Sequence, residues 1–306
     1  LAVIEAHELT KRFNGRPAVE DVTLQVSEGE ILGFLGPNGA GKTTTIRMLA
    51  GIIAPSAGHA HVAGFRTERD VERLHEVIGL LPETPGFYEG LSAWRNLEFF
   101  ARFYPGLDVD LQVEKHLRLM GLWGRKDDRV ATFSKGMKAR LALARALLHE
   151  PKILFLDEPT AGLDPEAARD VRGLISDLGE EGKTIFLSTH NLTEAEQLCG
   201  HIAVVRTRLI ALDTTDRLRN RLFRPSLVVE LASVSDSLLD AMRALPFVRQ
   251  VKRGGNRLVV ELTDLSADRP NFVRELVNAG GEVLEISEER HTLEEIYMSL
   301  VQEEEA

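Results

Sequence analysis

Cysteine is almost absent from this 306-residue chain, where Cys199 stands alone. A single thiol cannot close an internal disulfide, so the fold rests on its packing and suits a reducing compartment. Cys199 itself reads as a small apolar filler near a helix end. No stretch approaches the roughly eighteen consecutive apolar residues of a membrane-spanning helix, and the first residues lack a charged-then-apolar leader. Any membrane role would therefore fall to a partner chain. The chain opens on Leu1 rather than methionine, which this reading takes as trimming or a non-standard start. A basic excess is missing too. The formal net charge of −10 argues against a broad nucleic-acid-binding surface. What the chain does have is 43% apolar residues over a length sufficient for two cores.

Strand-like segments open the sequence: VIEAHELTKRF, AVEDVTLQVS and EILGFLG, with turn chemistry at Asn14-Gly15 and Glu28-Gly29. Helical periodicity starts at Lys42. IGLLP (78–82) predicts a further strand, and the three-to-four spacing over about 92–150 predicts a helical insert. Nearly continuous apolar strands return at ILFLD (153–157), TIFLS (184–188) and IAVVR (202–206), with helices expected at 165–179 and 192–199. Such strands separated by helices predict a mostly parallel sheet covered on both faces.

Beyond Asp213 the character changes. Residues 206–224 hold six arginines against two aspartates, read as solvated faces around a linker helix. From 226 the order is strand, helix, strand, a Gly254-Gly255-Asn256 turn, strand, a helix read as starting at Pro270, strand, and a last helix. Thr292 and Glu295 predict a capping box for that last helix. This is the βαββαβ pattern of a ferredoxin-like domain, and it carries no catalytic constellation. The expected division is therefore 1–220, with a helical subdomain at about 90–150, and 221–306, read as a regulatory or assembly domain.

Two stretches carry chemistry. GPNGAGKTT (36–44) follows an apolar strand and opens a helix, the context a phosphate-binding loop requires. Its glycines let the backbone N–H groups of the loop Gly36, Pro37, Asn38, Gly39, Ala40 and Gly41 (Pro37 itself having none) turn inward on phosphate oxygens, aided by the helix N-terminus. Lys42 is expected to reach the β- and γ-phosphates, Thr43 to offer its hydroxyl to Mg²⁺, and Thr44 to complete the cradle. ILFLDEP (153–159) sets Asp157 at the carboxyl end of a buried strand as a Mg²⁺ partner, and Glu158 beside it as acceptor of a proton from water. A third stretch, FSKGM (133–137), puts a hydroxyl, a lysine and a glycine at a helix start shortly before ILFLDEP.

GPNGAGKTT, FSKGM, ILFLDEPTAGLDP and STH (188–190), in that order, resemble the ATP-binding subunits of ABC transporters over about residues 3–212. The resemblance implies an α/β P-loop ATPase with a mixed, largely parallel sheet. It also implies ATP and Mg²⁺ as ligands, and two nucleotide-binding subunits facing head to tail as a homodimer. FSKGM stands where the family has its signature, so Ser134 and Gly136 would cap the nucleotide held by the opposite copy. Lys135 and Met137 depart from the usual glycine and glutamine. Phe13, in LTKRFNG, would stack on adenine. Glu83, in LLPETPG, stands where a glutamine normally senses γ-phosphate and Mg²⁺. Asp164, in AGLDP, would couple the two sites, and His190 would contact γ-phosphate. The SKGM signature and appended domain resemble ATPases of the type-2 exporter group (multidrug, antibiotic or sodium exporters). Those pair with a separate integral membrane permease and sit peripherally on the cytoplasmic face of the membrane. The alternative is a soluble nucleotide switch, or a regulatory or immunity ATPase without transport.

Overall fold

The computed structural model describes residues 1–289 and 291–305. Its backbone separates into two compact units, Leu1–Thr215 and Asp216–Glu303. Arg290 and Ala306, inside the expected second domain, lie outside the described residues.

In chain order the first unit begins with β1 (Ala2–Phe13), β2 (Arg16–Ser27), β3 (Ile31–Leu35), α1 (Lys42–Leu49), β4 (Ala57–Val62), β5 (Phe65–Arg66), α2 (Val71–His75) and β6 (Ile78–Leu81). The helical insert holds α3 (Ala93–Ala101), α4 (Val109–Leu119) and α5 (Lys135–Leu147). Then come β7 (Ile153–Asp157), α6 (Pro165–Glu180), β8 (Thr184–Thr189), α7 (Leu192–Leu198), β9 (His201–Arg206) and β10 (Arg208–Asp213). Six strands form the central sheet in the order β10-β9-β3-β8-β7-β6, parallel except for the edge strand β10. The first two strands, β1 and β2, do not join it. They make a separate antiparallel sheet, β2-β1-β4-β5, completed by AGHAHV (57–62), a strand the sequence reading passed over. Two histidines and a glycine in six residues hide its alternation.

Side chains alternate across the central sheet with period two. Leu154, Leu156, Ile185 and Leu187 face a core with Leu97, Leu117, Leu143 and Val171 of the helices. Ile153, Phe155 and Phe186 face the opposite core, with Ile46 and Leu49 of α1 and Ile4, Leu24 and Val62 of the antiparallel sheet. Both faces are therefore dry, which is what continuous apolar strands require. Cys199 closes α7 against β3: a Cβ on Gly33 would lie 2.8 Å from its sulfur, and burial pushes its thiol pKa up.

The second unit comprises α8 (Thr215–Leu222, its first residue at the boundary), β11 (Ser226–Leu231), α9 (Asp236–Arg243), β12 (Val248–Gly254), β13 (Arg257–Leu262), α10 (Leu265–Asn278), β14 (Val283–Glu288) and α11 (Leu293–Glu305, its last two residues past the boundary). Its sheet runs β12-β13-β11-β14, antiparallel throughout, with Leu227, Val229, Leu258 and Val260 packed on Leu239, Phe272 and Leu276. That strand order is ferredoxin-like. The Thr292 capping box closes reciprocally: Thr292 N donates to Glu295 Oε2 at 2.9 Å, and Glu295 N to Thr292 Oγ1 at 3.3 Å. One expected boundary was wrong. Helix α10 starts at Leu265 and carries Pro270 inside it. Asp264 caps Ser266 and Ala267, each at 3.0 Å, and Asp268 returns a bond to Asp264 N. Two reciprocal caps outweigh the one ladder bond a proline removes this early in a helix.

His116 in α4 and His149 after α5 are buried enough that desolvation lowers both pKa values from 6.5. The unfolded chain therefore takes up protons first as pH falls below about 6.5, so stability is level above that point and declines beneath it. Urea midpoints measured between about pH 7 and pH 5 should fall, and a His116→Gln chain should fall less.

Candidate functional site

Three parallel strands end side by side. Leu35 of β3 pairs with Thr189 of β8, and Asp157 of β7 pairs with Ser188 of β8. The loops that follow are therefore neighbours at the carboxyl edge of the sheet, where open α/β sheets receive ligands.

The loop after β3 turns through Gly39 (φ 83°) and Gly41 (φ 94°), the left-handed region that disfavours any side chain. Gly41 is the N-cap of α1, with no side-chain cap and no acid in the first turn. Its N-terminal N–H groups and positive dipole end are thus left for an anion. A Cβ on Gly41 would meet Ala18 O at 2.4 Å, whereas one on Gly39 would point into open space. Gly36 and Ala40 are buried beneath the loop, and Pro37 and Asn38 are exposed.

Lys42 is 6% exposed, and its Nζ donates to Gly36 O at 2.8 Å and Pro37 O at 3.1 Å. It also lies 3.1 Å from Glu158 Oε1, in an ion pair off the hydrogen-bonding direction that leaves this oxygen without a hydrogen bond. Glu158 Oε2 meets His190 Nδ1 at 2.8 Å. Its backbone is held at φ 52°, a strained conformation for a non-glycine residue, and its N–H donates to Ser188 O at 3.0 Å. Asp157, 2% exposed, accepts from the Ser188 hydroxyl. A cavity of ≈ 310 Å³ opens over this group, lined by Ala18, Asn38, Gly39, Gly41, Lys42, Thr43, Thr44, Glu83 and Glu158.

Phe13, Ser134 and Gly136 do not line that cavity. Phe13 is 50% exposed at the end of β1, with Lys11 Nζ 5.3 Å from its ring centroid. Ser134 is the N-cap of α5, its hydroxyl accepting from Met137 N at 3.2 Å. Gly136 has a packing role the sequence did not reveal: a Cβ there would sit 2.7 Å from Ala167 Cβ in α6. Asp164 caps α6 by accepting from Ala167 N at 2.9 Å, so the starts of α5 and α6 meet. Two further contacts escaped the sequence reading. Ser188 secures Asp157, and buried Glu194 accepts from Thr160 Oγ1 at 2.8 Å. The signal for Glu194 was its spacing from Asn191, which resembled ordinary helix capping.

The donor set fits a polyphosphate with Mg²⁺. A left-handed glycine loop, an uncapped helix start and a buried ammonium provide for the anion. Among the described residues no group of three or more His, Cys, Asp or Glu is arranged to hold a metal by itself. That agrees with Mg²⁺, which uses one or two carboxylates and completes its shell with phosphate and water. Gly41→Ala should destabilise the chain by about 1–3 kcal/mol from backbone strain, with the Ala18 clash added, and abolish nucleotide binding. Gly39→Ala should show the strain alone; urea titration and fluorescent-nucleotide binding distinguish the two.

Residues 19–161 match the family described as ABC transporter, and residues 214–301 the one described as ATP-binding protein DrrA1-3-like, C-terminal domain. The uncharacterized ABC transporter ATP-binding protein YhcH of Bacillus subtilis is 42% identical over 67% of this chain and 67% of its own length. A fluoroquinolones export ATP-binding protein of Mycobacterium tuberculosis is 41% identical over 71% of this chain and 72% of its own. A solved ATP binding subunit of an ABC transporter superposes with a TM-score of 0.65 at 32% identity, covering 72% of this chain and 92% of that one.

Proposed function

This chain belongs to the ATP-binding subunits of ABC transporters, and we propose that two copies power export through a separate permease, bound peripherally at the cytoplasmic face of the membrane. As a member of that family it binds ATP with Mg²⁺ and hydrolyses it. The observation that carries the residue assignments is the Glu158 carboxylate, held between the Lys42 ammonium and the His190 imidazole at the cavity.

The loop N–H groups from Asn38 to Thr44 bind the β- and γ-phosphates, and Lys42 neutralises them. Thr43, Asp157 and Glu83 would hold Mg²⁺, which would offset the negative charge of the phosphates. While Lys42 pairs with Glu158 Oε1, that oxygen is engaged by the ammonium. An arriving triphosphate competes for the ammonium and frees Oε1 to take a proton from the attacking water. His190 keeps Glu158 oriented through Nδ1 and retains Nε2 for γ-phosphate. Phe13, exposed beyond the cavity, stacks on adenine.

Ser134 and the exposed start of α5 lie apart from the chain's own cavity, which supports their service to a second copy. Shifting a mostly open pair to a mostly closed one takes about 5.5 kcal/mol of preferential nucleotide binding, within reach of charge-assisted phosphate contacts. Because the starts of α5 and α6 pack through Gly136 and Ala167, the cap and the Asp164 loop move together in this scheme.

Among the described residues no helix is long and apolar enough to cross a membrane. A cavity of ≈ 380 Å³ between the helical insert and the sheet is lined by Ile52, Phe100, Phe103, Tyr104, Arg145 and His149. Phe103 is 68% exposed there, which suits an apolar segment of the permease. The cargo class that fits the relatives' names is a drug or antibiotic. The second unit serves regulation or assembly.

Lys42→Ala should abolish turnover. Glu158→Gln should bind ATP, accumulate as a closed dimer by light scattering, and hydrolyse about a hundredfold or more slowly; hydrolysis at the wild-type rate would remove Glu158 as the base. Glu83→Gln should keep most of the ATPase activity, and a loss of about a hundredfold would make the carboxylate essential.

A further inference from the structure

Glu194 lies in the first turn of α7, fully buried, and none of the steps above uses it. Three residues after the N-cap Asn191, it occupies the glutamate position of a capping box, from which a carboxyl reaches back to the N-cap N–H. Here that N–H donates instead to Thr189 Oγ1 at 3.0 Å. Asn191 Oδ1 in turn accepts from Glu194 N at 3.2 Å. The helix start is thus satisfied without the carboxyl. Released from local capping, Glu194 Oε1 takes a bond of 2.8 Å from Thr160 Oγ1 in a different loop. Thr160 is 8% exposed and Thr189 0%, so the contact is shielded from water.

The surroundings make this an unfavourable place for an acid that does nothing. Burial raises the Glu194 pKa, with Glu158 raising it further, while the hydroxyls of Thr189 and Thr160 and the charge of Arg172 act against burial. Its Oε2 has no hydrogen-bond partner. An apolar side chain would fill the same space without burying a lone polar oxygen. What the carboxyl adds is a link between two segments. Thr160 lies two residues after Glu158, and α7, which carries Glu194, begins two residues after His190.

We propose that Glu194 is a positioning residue for ATP hydrolysis: it ties the turn after Glu158 to the start of α7, the helix that follows His190, and so fixes the hydrogen bond between those two side chains. The proposal rests on the reading of Glu158 as the group that activates water. Misplacing a catalytic group by a fraction of an ångström to one ångström lowers the chemical step while leaving nucleotide binding nearly intact.

The test uses the purified full chain and its variants Glu194→Ala, Glu194→Gln, Thr160→Val and Glu158→Gln. It measures kcat and KM for ATP, binding of a fluorescent ATP analogue, and the unfolding midpoint. Glu194→Ala and Thr160→Val should each lose about tenfold or more in kcat with KM and analogue binding within about twofold. Glu194→Gln, whose carbonyl still accepts from Thr160, should recover most of the rate. The double variant Glu194→Ala/Thr160→Val should be no worse than the poorer single one, because both remove the same bond. If Glu194→Ala fails to fold, Thr160→Val and Glu194→Gln still decide the matter. A wild-type kcat in Thr160→Val, or kcat and binding falling together, overturns the proposal. If Glu158→Gln is inactive in the same series, the site reading survives that failure; if Glu158→Gln is fully active, the site reading itself falls.

Discussion

The parallel pairing of β3, β8 and β7 is the constraint on which the site depends. A parallel sheet sends the carboxyl ends of neighbouring strands to one edge, so the loops that follow them are adjacent however far apart they lie in sequence. Register then decides which atoms meet. Leu35 opposite Thr189 and Asp157 opposite Ser188 align the glycine loop, the acid pair and the histidine within side-chain reach. Dry packing on both faces of the sheet secures that register, because a slip by one residue would turn every strand side chain toward the wrong core.

Charge is handled at that edge by mutual containment. Lys42, nearly inaccessible, is satisfied by two loop carbonyls and the Glu158 carboxylate. Glu158 in turn is pinned by Lys42, by His190 and by its own strained backbone. A buried ion pair contributes little net stability once desolvation is counted, so its presence is better explained by readiness for a competing anion. The glycine loop and the start of α1, which no side chain caps, supply the complementary part: backbone donors and a positive dipole end.

Glycine performs two different tasks here. Gly41 supplies a backbone angle and a tight approach to Ala18 O that any side chain would block. Gly136 supplies proximity between helices, letting α5 meet α6 at Ala167. The second task binds the signature helix to the Asp164 loop within one chain, a mechanical connection that neither segment's composition announces.

Much of this was legible before any coordinates. Glycine spacing, a lysine at a helix start and an acid pair closing an apolar strand are local patterns, and local physics is enough to read them. The βαββαβ order of the second unit is equally local, since period-two strands and amphipathic helices declare themselves one at a time. Failures came where a neighbour in sequence was a poor guide: His59 and His61 masked a strand, and Pro270 suggested a helix start that the Asp264 and Asp268 caps move upstream. Only the tertiary structure brought Lys42, Glu158 and His190 into one contact, gave Gly136 its partner and turned Glu194 from a capping residue into a tether to Thr160. Sequence determines which groups are available and what each strand or helix can be; which groups touch is set by strand register and helix packing, interactions between residues tens to more than a hundred positions apart that no local pattern encodes.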